Sequence, residues 1–140
     1  MSLTSVADQY IQQGGEFVSP PSLFVEKMKS IRVVLFDWDG VFNDGFKRGE
    51  EGSIFSEVDA MGTNLLRYAL WRANGAVPVS AIMTGENNPS AVLFAKRENF
   101  TAVFTGTKNK GKAFQLFCDQ YKCTPSQVLF FGDDVLDLVV

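Results

Sequence analysis

The stretch Ile31-Arg32-Val33-Val34-Leu35-Phe36-Asp37-Trp38-Asp39-Gly40 decides the fold. A run dominated by β-branched and apolar side chains predicts a strand buried on both faces, as in a parallel sheet. It ends abruptly in two carboxylates one residue apart. Similar runs recur at Val77–Met83, Thr101–Phe104 and Gln127–Phe131. Helical patterns lie between them. Gly62–Asn74 carries Leu65, Leu66, Ala69 and Leu70 as a stripe expected to face the core. Asn88-Pro89 opens a helix to about Asn99, with Asn88 as N-cap and Pro89 at the first helical position. Lys110–Tyr121 carries Phe114, Phe117, Cys118 and Tyr121 on one face. Thr124-Pro125-Ser126-Gln127 has the form of a capping box, so one helical turn is expected before the last strand. The alternation predicts a Rossmann-like, doubly wound α/β domain with a parallel sheet. Phe46–Val58 interrupts it. Lys47-Arg48-Gly49-Glu50-Glu51-Gly52 suggests the turn of a β-hairpin flap after the first strand. Residues 1–30 read as an N-terminal appendage of two short helices, and 31–140 as the core.

Composition narrows the chemistry. The chain has 140 residues, 13 basic and 16 acidic side chains, and no histidine. The missing histidine excludes a Ser-His-Asp triad, a Cys-His dyad and a histidine-ligated zinc site. The carboxylates favour a hard, oxygen-ligated cation such as Mg²⁺. A net charge of −3 disfavours a nucleic-acid partner. No apolar run approaches the ~20 residues of a membrane span, and no signal-peptide pattern opens the chain. Cys118 and Cys123 lack metal-ligand spacing and are expected to be reduced thiols in a cytoplasmic protein.

In open α/β sheets, ligands bind beyond the carboxyl ends of the strands. Those ends here are Asp37-Trp38-Asp39-Gly40, Thr84-Gly85-Glu86, the segment from Gly106 to Lys110, and Gly132-Asp133-Asp134 with Asp137 beyond. Asp37 and Asp39, two residues apart at an extended strand end, are expected to face the same way. One carboxylate can attack phosphorus to give an aspartyl-phosphate while its neighbour handles a proton. Their charge would repel a phosphate unless a divalent cation intervened, and Asp133 can supply it a further oxygen. Thr84, the N–H of Gly85 and Lys110 can hold the remaining phosphate oxygens.

This ordered set resembles the haloacid dehalogenase superfamily of phosphatases. Phe36-Asp37-Trp38-Asp39-Gly40-Val41-Phe42-Asn43-Asp44-Gly45 looks like its first motif, nearest the small phosphatases of 3-deoxy-manno-octulosonate 8-phosphate and of nonulosonate 9-phosphates. Phe55-Ser56-Glu57-Val58-Asp59-Ala60-Met61-Gly62 is similar to the segment after that family's flap. The resemblance implies Asp37 as nucleophile and Asp39 as general acid/base. It implies Mg²⁺ held by the carboxylates of Asp37 and Asp133 and the backbone carbonyl of Asp39. It implies phosphate binding by Thr84 and Lys110, with Lys112 a rival for Lys110. Gly85, Glu86 and Asp59 would contact substrate, and Asp134 and Asp137 would support the site. Glu86 stands where the octulosonate branch has Arg and resembles the nonulosonate branch. Trp38 replaces a small aliphatic residue and Asn43 a threonine. The short connections imply a capless member, which in this family forms a homotetramer whose flap meets its neighbours. After Asp137 only Leu138-Val139-Val140 remain, so the resemblance implies that the chain stops short of the family's last strand and tail. Other readings of the same residues are a receiver-like phospho-acceptor module and a non-catalytic regulatory domain.

Overall fold

The computed structural model describes residues 2–140. Its elements, in chain order, are α1 (Leu3–Gln12), α2 (Pro21–Met28), β1 (Val33–Phe36), α3 (Glu57–Asn74), β2 (Val79–Met83), α4 (Pro89–Arg97), β3 (Ala102–Phe104), α5 (Lys110–Tyr121) and β4 (Val128–Phe131). The four strands form one parallel sheet in the order β3-β2-β1-β4. The chain therefore moves outward from β1 to β3 and then returns to lie on the other side of β1. That reversal opens a crevice between the carboxyl ends of β1 and β4.

Alternation along the strands divides the core into two layers. Val34, Phe36 and Ile82 face α3 and α4, where they meet Ala60, Leu70, Ala91, Phe94 and Ala95. Val33, Leu35, Ala81 and Met83 face α5, where they meet Phe114, Phe117 and Cys118. Phe94 is fully buried, and its ring lies 4.8 Å from Phe42, 4.9 Å from Phe55 and 5.6 Å from Trp38. This aromatic cluster anchors Trp38 in the core, so the residues either side of it leave the sheet at a fixed point.

Two expectations need correction. Phe46–Val58 is not a β-hairpin. It is an irregular loop around a 3₁₀ turn at Gly49–Glu51, closed by the Arg48 N–H donating to the Gly52 carbonyl at 2.8 Å. Nothing beyond that turn supports it with a third strand, and a lone two-stranded ribbon is marginal in water. The stripe on the helix after the loop holds only in part, since Leu66 and Leu70 pack on the core and Leu65 and Ala69 do not. α3 begins at Glu57, because Ser56 accepts the Asp59 N–H at 3.3 Å as N-cap. Ala60, Thr63 and Leu70 are its buried residues, while Leu65 is 62% exposed and Ala69 also faces solvent. The single helical turn before the last strand is a 3₁₀ turn, Pro125–Gln127, with both capping-box bonds. α1 and α2 meet through the Tyr10, Phe17 and Phe24 rings.

Glu98, at the end of α4, ties that helix to the middle of α3. Its carboxylate accepts from Asn64 Nδ2 at 2.6 Å and from Arg97 Nε at 2.7 Å. Partial burial works to raise this carboxyl, but those two donors outweigh it and hold it below the ordinary glutamate value. A depressed folded value means that the stabilisation is complete above the unfolded value and is lost as pH falls through the folded one. Glu98→Gln should therefore lower the thermal midpoint at pH 7 and leave a much smaller gap at about pH 3. Melts followed by circular dichroism read this; equal gaps at both pH values would refute it.

Candidate active site

Asp37 leaves β1 at the sheet's crevice and is buried. Its Oδ1 accepts the Trp38 N–H at 2.7 Å, and its Oδ2 lies 2.7 Å from Lys110 Nζ. Lys110 opens α5, whose N-cap Asn109 accepts the Lys112 N–H at 3.0 Å. Lys110 is only 7% exposed and also donates to Asp137. Lys112 is exposed and does not line the crevice. Lys110, and not its rival, is therefore the lysine that the fold delivers to Asp37.

Asp137 lies in the 3₁₀ segment Val135–Val139 after β4. It accepts the Asp134 N–H at 3.1 Å, while Asp134 accepts the Leu136 N–H at 3.0 Å. The segment after β4 is thus a capped 3₁₀ turn. Asp133 is exposed and lies beside Gly40. Gly40 has φ +77°, and a Cβ there would sit 1.8 Å from Asp133 Oδ2. Only glycine lets the Asp133 carboxylate approach the turn after β1.

Carboxylate oxygens of Asp37, Asp133 and Asp137 come within 4.8 Å of one another. Hard oxygen donors grouped this way suit Mg²⁺ or a similar divalent cation. Asp37 and Asp137 share Lys110, but of the three only Asp37 and Asp133 line the cleft, which makes these two the carboxylates best placed to ligate an ion there. Asp39, expected to offer a metal only its backbone carbonyl, keeps its carboxylate out of this cluster. Its Oδ2 pairs with Lys47 Nζ at 2.6 Å, its Oδ1 accepts from Ser53 Oγ at 2.5 Å, and Asn88 Nδ2 donates to Oδ2 at 3.2 Å.

The environments of the two neighbouring carboxyls are opposed. Burial pushes Asp37 above its ordinary value, with Lys110 and the Trp38 N–H offsetting only part of this. Burial also works to raise Asp39, but the donors Lys47, Ser53 and Asn88 outweigh it and pull it below. Burial alone would lower Lys110; its bonds to Asp137 and Asp37 dominate and keep it a firm cation.

Asp37, Asp39, Thr84, Gly85, Glu86, Lys110, Asp133 and Asp134 all line one cleft of about 410 Å³. Thr84 is buried, and its hydroxyl accepts from Asn88 Nδ2 at 3.1 Å. Glu86 is exposed at the mouth, and its carbonyl accepts the Gly106 N–H at 3.1 Å. Asp59 is the exception. It sits in the first turn of α3, accepts from Ser56 Oγ at 2.5 Å and does not line this cleft. Its role here is to start a helix, where an acid is favoured by the dipole. Sequence reasoning missed Lys47, Ser53 and Asn88. Lys47 and Ser53 lie in the irregular loop, where no periodicity marks them, and Asn88 carries the signature of a cap.

Fold and cleft together define a doubly wound α/β protein with an acidic, lysine-centred site at its topological switch point. No family model matches the chain. The chain is 30% identical over 120 residues to the 3-deoxy-D-manno-octulosonate 8-phosphate phosphatase KdsC of Yersinia pestis, covering 81% of this chain and 59% of that protein. It thus spans somewhat over half the length of that curated relative. Its fold superposes with a TM-score of 0.71 at 24% identity on the Moraxella catarrhalis phosphatase of the same substrate, solved with magnesium, phosphate and KDO, covering 84% of this chain and 66% of that one. The cobalt-bound deoxy-D-mannose-octulosonate 8-phosphate phosphatase of Haemophilus influenzae matches with a TM-score of 0.67 at 26% identity, covering 81% and 64%. By these likenesses the chain is related to the KDO 8-phosphate phosphatases of the haloacid dehalogenase superfamily.

Removing the cation at the centre of the cleft has a predictable cost. Lys110→Met leaves Asp37 and Asp137 buried together without it, which should destabilise the metal-free protein by about 3–5 kcal/mol. Urea unfolding at neutral pH measures this. A loss below about 1 kcal/mol, the scale of an exposed ion pair, would refute the burial argument.

Proposed function

We propose that this protein is a Mg²⁺-dependent phosphomonoester hydrolase working through an aspartyl-phosphate. The observation that carries this reading is the convergence of Asp37, Lys110, Asp133 and Thr84 on one cleft beside Asp39. Asp37 and Asp133, with the Asp39 backbone carbonyl, would hold the ion. When bound, Mg²⁺ supplies positive charge that favours ionised Asp37 and screens phosphate from the surrounding carboxylates.

Asp37 attacks phosphorus, forming a new P–O bond as the P–O bond to the alcohol breaks. Asp39, held ionised by its donors in the resting site, takes up the proton that the bound phosphate monoester monoanion carries and passes it to the departing oxygen. Asp39, now ionised, takes a proton from water as that water attacks phosphorus, and the Asp37–phosphorus bond breaks to release phosphate. Lys110 and Thr84 hold phosphoryl oxygens through both steps, with the Gly85 N–H beside them. The exposed carboxylate of Glu86 at the mouth contacts the alcohol moiety. Asp134 and Asp137 keep the turn and Lys110 in place.

The substrate we propose is a sugar-acid phosphate, 3-deoxy-D-manno-octulosonate 8-phosphate or a nonulosonate 9-phosphate, handled in the cytoplasm. The named relatives and a cleft of about 410 Å³ with Lys110, Thr84 and Glu86 in its wall support it. Asp37→Asn should abolish phosphate release from both sugar acids and from p-nitrophenyl phosphate, and chelation of Mg²⁺ should do the same reversibly. Full turnover in either case would sink the mechanism. Turnover of neutral sugar phosphates in preference to both acids would sink the substrate class alone.

The working form we propose is a homotetramer. Phe46, Met61 and Val58 are 72%, 63% and 77% exposed on the loop and the first turns of α3, an apolar surface that a neighbouring copy can cover. Sedimentation at micromolar concentration should show four copies associated; a monomer there would rule this out.

A further inference from the structure

Asn88 occupies the N-cap position of α4 but does not cap it. Ser56 at α3 and Asn109 at α5 each accept a backbone N–H of their own helix, at 3.3 Å and 3.0 Å. At α4 no side-chain cap bond forms. The Asn88 side chain, only 2% exposed, turns the other way. Its Nδ2 donates to Asp39 Oδ2 at 3.2 Å and to Thr84 Oγ1 at 3.1 Å. A residue type favoured for capping has therefore given up that bond for two groups of the cleft.

The neighbourhood holds it in that orientation. Gly52 lies against Asn88 Oδ1, where a Cβ would come within 2.5 Å. The next residue, Ser53, is fully buried and donates to the other Asp39 oxygen at 2.5 Å. The Ser53 carbonyl in turn accepts from Trp38 Nε1 at 2.9 Å. Both Asp39 oxygens thus meet buried neutral donors, and one of those donors also grips Thr84.

We infer that Asn88 is a positioning residue that fixes the Asp39 carboxyl and the Thr84 hydroxyl relative to each other. It orients the proton donor toward the departing oxygen while the phosphoryl group rests on Thr84. This rests on the phosphatase reading above.

The test exploits the leaving group. An alkyl alcohol needs its proton from Asp39, whereas p-nitrophenolate leaves without one. Asn88→Ala and the isosteric Asn88→Asp, which cannot donate, are assayed with Mg²⁺ on 3-deoxy-D-manno-octulosonate 8-phosphate, on glycerol 3-phosphate and on p-nitrophenyl phosphate. The kcat on the alkyl esters should fall by about 10- to 100-fold, and on the aryl ester by only about 2- to 5-fold. Asn88→Ser, which keeps one donor, should recover part of the alkyl rate. Equal losses on alkyl and aryl esters, or no loss, would overturn the role while leaving the phosphatase reading intact. Wild-type protein inactive on all three esters would overturn that reading and this role with it. Should Asn88→Ala fail to fold, the Asn88→Asp and Asn88→Ser pair decides the matter.

Discussion

The structure depends on one buried cation. Asp37 and Asp137 come from different strand ends, and both carboxylates are nearly hidden from water. Two like charges in that setting would repel at low effective dielectric, and one would have to take up a proton. Lys110 reaches both of them and makes the arrangement tolerable. It reaches them because it stands at the first turn of α5, against the face of the sheet lined by Val33, Leu35, Ala81 and Met83. Sheet order, helix placement and site charge are therefore one problem with one solution.

The topology explains why these groups meet. With β4 beside β1, the residues just past both strands face each other across the crevice. Asp37 and Asp133 are almost a hundred positions apart in sequence, yet their strands pair in register, Phe36 beside Phe131. Gly40 then lets the Asp133 carboxylate close in. The acidic crevice is a consequence of strand order, and a parallel sheet in simple sequential order would separate the same residues.

Much of this was legible in the sequence, for a physical reason. Short, near-continuous runs rich in β-branched residues fit strands buried on both faces, and the polar residues that end such parallel strands fall at the same edge of the sheet. That logic placed Asp37, Thr84, Lys110 and Asp133 in one cleft. It failed where local bonding competes with pattern. Ser56 starts α3 earlier than the pattern suggested, and packing turns Ala60, Thr63 and Leu70 inward while Leu65 and Ala69 face solvent. Lys47-Arg48-Gly49 has turn chemistry, but a hairpin also needs a sheet neighbour that the rest of the fold does not offer. Asn88 has the composition and position of a cap, and only its surroundings reveal that the side chain faces the other way. Asp59 shows the converse: a residue placed by resemblance near the substrate is occupied with Ser56 at a helix start.

Two carboxylates of the same type, one residue apart, are given unlike tasks by unlike neighbours. Asp37 faces a buried lysine and the acidic cluster, where burial resists its charge and a divalent ion would favour it. Asp39 faces Lys47, Ser53 and Asn88, none of which belongs to that cluster. Trp38 between them makes the division possible. Its indole is locked against Phe42 and Phe94, and its Nε1 holds the Ser53 carbonyl. The residue that looks out of place beside a small active site is thus what draws the irregular loop up to Asp39. The Ser90 hydroxyl donates to the Glu51 carbonyl at 2.9 Å and ties the same loop to α4. A loop without a strand partner is in this way tied down at the end that meets Asp39.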